Sequence, residues 1–220
     1  MEKEYSFQTV IQGIPLMFSN FPTLFSPNAP DRGTLAMLKH TAFSLKDKVL
    51  DLGCGYGLVG ILAAKQIGTE RVFLCDLVSE AVTAAQKNAL LNNLPSLQVW
   101  QSDAFENITD SDFTLILSNP PYHTDFSVAK RFIEGAFFHL TPPTVTPKGE
   151  NVAGGRLVMV TKRREWYENK LRSVFGGVTV AEEDGYFVFS AEKRTTHKIK
   201  KEKTRPALSK KLAKKYAKRH

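Results

Sequence analysis

The sequence predicts an α/β domain with a doubly wound, mainly parallel sheet of seven strands and an antiparallel hairpin at its C-terminal end. Three observations predict this fold class. Short apolar runs alternate with longer segments of helix-forming composition. Glycines concentrate where the first apolar run gives way to a helical pattern. The last two runs are separated by a turn containing Asp184 and Gly185, which is typical of a hairpin.

The elements follow from these patterns in order along the chain. Seven runs have the length and composition of strands: residues 49–52, 72–76, 97–100, 113–118, 156–161, 178–181 and 186–191. Four segments have the pattern or composition of helices: residues 58–63, 79–90, 126–140 and 165–175. Asn92, Asn93 and Pro95 end the second helix, and Gly176 and Gly177 end the fourth. A Pro- and Gly-rich loop is expected over residues 141–155.

The positive charge is concentrated at the C-terminal end. Residues 193–220 hold 13 of the 30 Lys and Arg residues and a single acid, which leaves residues 1–192 with a net charge of about −4. A segment so poor in apolar residues cannot offset the entropy of folding. We therefore expect a folded domain over residues 1–192 and a disordered basic tail over residues 193–220, which either binds RNA phosphates or only aids solubility.

Composition excludes several classes of protein. No apolar run reaches the roughly 18 residues that a membrane span requires. The first residues, MEKEYSFQTV, lack an apolar signal core, so a cytoplasmic location is expected. Cys54 and Cys75 both lie near predicted strand ends, and no spacing of a zinc type occurs, so neither a disulfide nor a metal site is expected. The oligomeric state cannot be predicted.

A ligand site is expected where the first strand becomes a helix. Glycines at 53, 55 and 57 let the backbone turn tightly and approach a ligand. At the end of the second strand, Asp76 is placed to accept both hydroxyls of an adenosine ribose, although capping the next helix is an alternative. Asp103, after the third strand, is expected either to cap a helix or to accept a hydrogen bond from an adenine amino group. Gly55, Gly57 and Gly60 also match the dinucleotide pattern G-x-G-x-x-G, which leaves an NAD site open as an alternative.

A second motif, Asn119-Pro120-Pro121-Tyr122, follows the fourth strand. Two prolines cannot extend the sheet, and they fix an extended backbone with an exposed carbonyl. The amide oxygen of Asn119 and the carbonyl of Pro120 can together accept both hydrogens of a planar base amine. Tyr122 can stack on the base. These residues predict catalysis by placement of an amine, without a strong base or metal.

The glycine motif that begins at Asp51 resembles the D-x-G-x-G-x-G motif of class I methyltransferases, over residues 30–192. This resemblance implies the Rossmann-like methyltransferase fold and S-adenosylmethionine as cofactor. The glycines would contact its methionine part, Asp76 its ribose, and Asp103 with Ala104 its adenine, while Asp51 would orient the loop or the cofactor's amino group. The implied cofactor site comprises Asp51, Gly53, Cys54, Gly55, Gly57, Asp76, Leu77, Asp103, Ala104 and Asn119.

The Asn-Pro-Pro-Tyr motif resembles the one shared by adenine-N6, guanine-N2 and protein-glutamine methyltransferases. Upstream, residues 25–34 carry Phe-Ser followed by Asp31-x-Gly-Thr34, which resembles the small-domain ribosomal RNA guanine-N2 methyltransferases. In that family this segment leads into a helix that closes the pocket, so residues 1–45 are expected on the substrate side and residues 46–192 as the cofactor-binding core. The chain departs from these relatives in lacking the duplicated, inactive N-terminal domain that some members carry, in having the 141–155 loop where a short turn would suffice, and in having the basic tail.

The resemblance implies methylation of guanine N2 in small-subunit ribosomal RNA. Adenine-N6 methylation, glutamine methylation of a protein and an inactive RNA-binding module remain alternatives. A ribosomal subunit or ribosomal RNA is thus the expected partner. Five residues are candidates for RNA contact, with a solvent-exposed polar role as the alternative: Arg32, His123, Lys162, Arg163 and Arg164.

Overall fold

A computed structural model describes residues 5–26, 28–121 and 126–194. Its elements are, in chain order, β1 (Tyr5–Ile11), β2 (Ile14–Asn20), α1 (Arg32–Lys39), β3 (Val49–Leu52), α2 (Leu58–Ile67), a single-turn helix (Thr69–Arg71), β4 (Val72–Asp76), α3 (Ser79–Leu91), β5 (Gln98–Gln101), β6 (Leu115–Ser118), α4 (Phe126–His139), β7 (Thr144–Val145), β8 (Asn151–Val152), β9 (Arg156–Thr161), α5 (Arg164–Phe175), β10 (Thr179–Glu183) and β11 (Tyr186–Glu192).

The central sheet has seven strands in the order β10-β11-β9-β6-β3-β4-β5. Strands β5, β4, β3, β6 and β9 are mutually parallel, whereas β11 runs antiparallel to both of its neighbours. This arrangement confirms the predicted fold class, including the antiparallel C-terminal hairpin. Because parallel strands end at the same edge, the segments that follow β3, β4, β5 and β6 meet along one edge of the sheet.

Apolar side chains cover both faces of the sheet. Alternate residues of each central strand face α1, α2 and α3 on one side and α4 and α5 on the other. In β6, for example, Leu115 and Leu117 join the first cluster and Ile116 joins the second. None of the helices in the described part of the chain is long and apolar enough to cross a membrane.

Most predicted boundaries agree with the structure within one or two residues. Strands β4 and β9 match the prediction, while β5 is shifted one residue along the chain and β6 begins two residues later than expected. Phe113 lies outside β6 because it forms an isolated bridge to Leu140. The 141–155 loop is not wholly irregular, since β7 and β8 pair within it as a small antiparallel hairpin.

The N-terminal hairpin of β1 and β2 was missed by the sequence prediction, which assigned no strands before residue 49. Two asparagines, one within α3 and one at its C-terminal cap, replace the missing sheet partner of β2. Asn92 accepts a hydrogen bond from the Met17 amide at 3.1 Å and donates to the Met17 carbonyl at 2.6 Å. Asn92 was read only as the end of the helix, yet its side chain also satisfies the exposed backbone of a strand.

Asn88 lies one turn earlier in α3 and is fully buried. Its Oδ1 accepts a hydrogen bond from the Ser19 amide at 2.7 Å, and its Nδ2 donates to the Tyr56 carbonyl at 2.9 Å. A single amide therefore joins the N-terminal hairpin, α3 and the loop that follows β3. The rings of Phe18 and Tyr56 pack edge to face beside it, with centroids 5.3 Å apart.

Asn88→Leu tests this link. The substitution leaves the Ser19 amide and the Tyr56 carbonyl buried without these partners, and each such loss costs about 1–3 kcal/mol. We expect the free energy of unfolding in urea to fall by about 2–6 kcal/mol. Leu90→Ala, at an exposed position of the same helix, should change it by less than about 1 kcal/mol. Equal losses in the two variants would contradict the proposed link.

Candidate active site

The loop between β3 and α2 carries the glycines of the first motif. Gly53 and Cys54 both donate backbone hydrogen bonds at 2.9 Å to the Cys75 carbonyl, which holds the loop against the end of β4. Gly55 has a φ of +55°, and a Cβ there would meet no atom within 4 Å. The loop thus presents bare backbone to an open space at the carboxyl edge of the sheet, as a closely bound ligand requires.

Asp51 lies beneath this loop and is 3% exposed. Its Oδ2 accepts a hydrogen bond from the Gly60 amide at 2.8 Å, so the carboxyl group fastens the first turn of α2 to β3. Burial raises the pKa of this carboxyl from its ordinary 3.8 to about 7, and the nearby charge of Asp76 acts in the same direction. A cofactor contact of Asp51 stays a prediction.

Asp76, at the end of β4, faces the same loop. Its Oδ2 accepts a hydrogen bond from the Gly55 amide at 2.9 Å, and its Oδ1 accepts one from the Val78 amide at 3.0 Å. The carboxylate therefore shapes the glycine loop and the start of α3 together. Leu77 follows it and is 59% exposed. The structure thus brings Asp51, Asp76 and the glycine loop together.

Asp103 is engaged by a side chain that the sequence did not suggest. Nη1 of Arg131 donates to both carboxylate oxygens of Asp103, at 2.9 and 3.0 Å, and Nη2 reaches Glu106 at 3.2 Å. Ala104 beside it is buried and has a φ of +54°. The adenine contact predicted for Asp103 and Ala104 stays a prediction, and any such contact must accommodate Arg131.

Asn119 stands at the end of β6 in a fixed orientation. Its Nδ2 donates to Oδ2 of Asp31 at 2.8 Å and to Oγ1 of Thr34 at 2.9 Å. Oδ2 of Asp31 also caps α1 by accepting from the Thr34 amide at 2.8 Å. Because two acceptors engage the amide nitrogen, the amide oxygen is turned away from α1.

The link between α1 and Asn119 was not predicted. The Asp-x-Gly-Thr spacing indicates a capped helix start, because an Asp cap bonds the amide three residues later. Nothing in that local pattern indicates a contact with a residue 88 positions away. Pro120 is buried and Pro121 is exposed beyond Asn119, while Tyr122 and His123 lie outside the described residues.

Asn20 is a further residue of this region that no pattern in the sequence singled out. It is 1% exposed, and its Nδ2 has no hydrogen-bond partner among the described residues. Asn20 ends β2 on the same side of the strand as Phe18, whose ring packs against Tyr56 of the glycine loop. A buried donor without such a partner is costly unless a ligand or water satisfies it.

The candidate RNA-contact residues after β9 lie on the same sheet edge and rest on aromatic rings. Lys162 lies 4.7 Å from the centroid of Tyr186, and Arg163 lies 5.1 Å from that of Phe126. Arg164 similarly covers Phe187. All three cations are exposed, so their charges are held at the surface beside the end of β6.

Arg32 and the cysteines have less direct relations to this site. Arg32, beside Asp31, is 73% exposed and lies 3.8 Å from Asp184 in the β10–β11 turn. Cys54 and Cys75 are buried free thiols, and burial raises the pKa of both, that of Cys75 to about 12. No group of three or more potential metal ligands occurs among the described His, Cys, Asp and Glu residues.

The buried carboxyl of Asp51 predicts a pH dependence of stability. Since its folded-state pKa of about 7 exceeds the unfolded value, the folded state holds a proton that the unfolded chain releases between about pH 4 and 7. The free energy of unfolding should therefore fall as pH rises through this range, with a slope approaching about 1.4 kcal/mol per pH unit from this group. Asp51→Asn removes this contribution and keeps an acceptor for Gly60. Parallel pH profiles for the two proteins in urea unfolding would contradict the assignment.

Comparison with known proteins places these features in a family. The profile of the family described as Methyltransferase small domain matches residues 15–190. Ribosomal RNA small subunit methyltransferase C of Mannheimia succiniciproducens is 32% identical over 176 residues, which cover 78% of this chain and 49% of the relative. Ribosomal RNA large subunit methyltransferase G of Photobacterium profundum is 30% identical over 182 residues, which cover 81% of this chain and 47% of that protein.

A solved structure gives the same result. The 16S rRNA N2 guanine methyltransferase of T. thermophilus, in complex with AdoMet and guanosine, superposes with a TM-score of 0.71 at 27% identity, over 86% of this chain and 50% of that one. The chain spans about half the length of the curated relatives it matches. These matches decide against the dinucleotide-binding alternative. The chain belongs to the methyltransferase small domain family.

Proposed function

We propose that the chain transfers the methyl group of S-adenosylmethionine to an exocyclic amine of an RNA base, and that this amine is N2 of a guanine in small-subunit ribosomal RNA. The observation that carries the proposal is the orientation of Asn119. Its nitrogen is held by Asp31 and Thr34, so its oxygen would be the atom that accepts a hydrogen bond from a base amine.

The geometry suits an amine that is a weak nucleophile. The lone pair of an aryl amine is delocalised into the ring, and hydrogen bonds from the amine hydrogens to Asn119 Oδ1 and the Pro120 carbonyl favour its localisation on nitrogen. An acceptor held in place before the substrate arrives loses little freedom when the bond forms. Asp31 and Thr34 therefore serve as positioning residues for Asn119.

The residues around the glycine loop fit a nucleoside cofactor with a charged amino-acid end. Gly55 leaves open space above the loop, and the Asp76 carboxylate lies at the end of the next strand, where it would hold ribose hydroxyls. The buried Nδ2 of Asn20 would supply a donor on the hairpin side. When bound, the cofactor would supply an electrophilic methyl group carried on a sulfonium. The remainder of the cofactor would leave as a neutral thioether.

The names of the relatives support the choice of RNA and guanine. Relatives at 30–32% identity are named ribosomal RNA methyltransferases, and the T. thermophilus structure contains guanosine and AdoMet. The cations at Lys162, Arg163 and Arg164 give the edge beside Asn119 a positive charge on a domain whose net charge over residues 1–192 is about −4. Each of these cations lies over an aromatic ring, which limits the positions that its charge can take.

The direct test is transfer of labelled methyl from S-adenosylmethionine to purified small subunits, large subunits, transfer RNA and DNA, followed by nucleoside analysis. We expect N2-methylguanosine in small-subunit RNA. If N6-methyladenosine is the labelled product, the target base is adenine and not guanine. Labelling of protein alone, or no labelling with cofactor bound, would reject RNA methylation.

Asn119→Ala should lower the rate constant for methyl transfer by about 100-fold or more, because loss of one preorganised polar group at a reacting centre has this order of effect. The cofactor dissociation constant should change by less than about threefold, since Asp76 and the glycine loop are intact. Asn151→Ala, in the exposed strand β8, is the matched control and should leave both quantities unchanged. Equal losses of turnover and cofactor affinity for Asn119→Ala would contradict this division of roles.

Thr34→Val tests the positioning of Asn119. It removes the Oγ1 acceptor with little change in size, so the amide is held by Asp31 alone, and we expect kcat to fall about tenfold with cofactor affinity kept. Thr41→Val provides the control, because the Thr41 hydroxyl donates to the Met37 carbonyl at the other end of the helix. If kcat for Thr34→Val equals that of the control, Thr34 does not position Asn119.

A further inference from the structure

A polar cavity of about 440 Å³ lies at the edge of the sheet opposite the candidate active site. Its position follows from the strand register. Arg156 begins β9 and pairs with Glu192 at the end of β11, and it also pairs with Leu115 at the start of β6. Since Asn119 follows the other end of β6, the two sites are separated by roughly 13 Å along the strand direction.

Three arginines line this cavity, together with two hydroxyl residues and one acid: Arg156, Arg172, Arg194, Thr179, Ser190 and Glu192. Even with Glu192 ionised, the lining carries more positive than negative charge. The hydroxyl groups can donate further hydrogen bonds to an anion. Guanidinium groups match the geometry of phosphate oxygens, so the lining favours a phosphate over an uncharged or apolar ligand.

Two of the arginines are held in place by contacts that use only a few of their N–H donors. Nη2 of Arg156 donates to the Ala42 carbonyl at 3.2 Å, and Nη2 of Arg172 donates to Glu168 at 2.7 Å. Each contact engages one N–H of a group that has five. Glu168 is itself shared, because its other oxygen accepts from Arg164 at 3.1 Å.

Arg194 reaches the cavity because Gly177 has no side chain. Its guanidinium nitrogens lie 3.0 Å from the position that a Cβ of Gly177 would occupy. The backbone just before it is fixed, since the Lys193 amide donates to the Gly155 carbonyl at 2.8 Å and the Lys193 ammonium donates to the Leu140 carbonyl at 2.6 Å. The side chain of Lys193 thus faces the domain, while that of Arg194 lines the cavity.

The cavity also stands where the basic segment of the chain begins. Residues 195–220 follow Arg194 directly and contain 11 Lys and Arg residues and one acid. A ligand with one phosphate would use the cavity alone, whereas a polyanion would also meet this charge. The adjoining sequence therefore favours a nucleic acid backbone as the ligand.

We propose that the cavity formed around Arg156, Arg172 and Arg194 binds backbone phosphates of the RNA whose base is presented at Asn119, as a second, sequence-independent contact on the opposite edge of the sheet. The proposal rests on the proposed function for the identity of the RNA. Phosphate contacts of this kind set the position of the RNA and its affinity but do not select the base. Their loss should therefore raise KM and leave kcat unchanged.

The test compares two double variants of the full chain. Arg172→Gln with Arg194→Gln removes two charges from the cavity. Lys46→Gln with Arg71→Gln removes two charges from exposed positions just before β3 and β4, on the same sheet edge but outside the cavity. Binding of a labelled single-stranded oligouridylate is measured as a function of salt for both variants and the unaltered chain, and S-adenosylmethionine binding reports the folded state.

For the cavity variant we expect the salt slope of RNA binding to fall by about 1.4 and affinity at 0.1 M salt to fall about 25-fold, since each single-strand phosphate contact contributes about 0.7 to the slope. The control should stay within about threefold of the unaltered chain. Equal weakening of the two variants would overturn the proposal, because diffuse charge would then explain binding. If the double variant fails to bind cofactor, the single variant Arg194→Gln is measured in its place. About a fivefold loss of RNA affinity is expected for it, and an unchanged affinity would overturn the proposal.

Methyl transfer to RNA separates the two proposals. An unaltered chain that methylates no RNA rejects the proposed function, while the oligouridylate measurements still decide on the cavity. If the cavity variant and the control variant both methylate RNA and only the cavity variant has a raised KM, the second contact is supported. Methylation with the same KM in both variants overturns the cavity proposal and leaves the proposed function standing.

Discussion

One carboxylate oxygen connects the N-terminal part of the chain to the motif after β6. Oδ2 of Asp31 accepts hydrogen bonds from the Thr34 amide and from Nδ2 of Asn119, both at 2.8 Å. The same atom thus begins helix α1 and sets the direction of the Asn119 amide. Any displacement of α1 changes the orientation of that amide, so the packing of α1 against β9 and β11 is part of the geometry of the site.

The remainder of the site depends on how backbone groups are satisfied at the carboxyl edge of the sheet. Asp76 binds an amide of the segment that joins β3 to α2, and Asn88 binds its carbonyl at Tyr56, while Asp51 binds the Gly60 amide in the first turn of α2. Because the loop is held from three directions, its glycines can keep an open conformation without collapsing onto the sheet. The order of the loop and the stability of the fold are therefore coupled through the same few polar side chains.

Sequence reasoning recovered the features that repeat or that are local. Periodicity identified the seven strands of the sheet, and the spacing of Asp51, the glycines and Asp76 located the loop, because these patterns follow directly from strand and helix geometry. The contacts that it missed join residues far apart in the chain. The free edge of β2 is bonded by side chains of α3 and of its C-terminal cap, and Asn119 is oriented by a helix cap 88 residues upstream. Arg131 binds Asp103 for the same reason, since only the tertiary fold brings α4 beside the end of β5.

The loop over residues 141–155 is closed at its base, and this bears on how the family can diverge. The Thr141 amide donates to the Phe113 carbonyl, the Gly155 amide donates to the Thr141 carbonyl, and the Arg156 amide continues the ladder to Thr114, each at 2.9 Å. Both ends of the loop are thereby fixed next to one another. Lengthening a loop of this kind costs only about 0.6 kcal/mol for each doubling. Evolution, or a protein engineer, can therefore insert sequence between β7 and β8 without moving a strand of the central sheet.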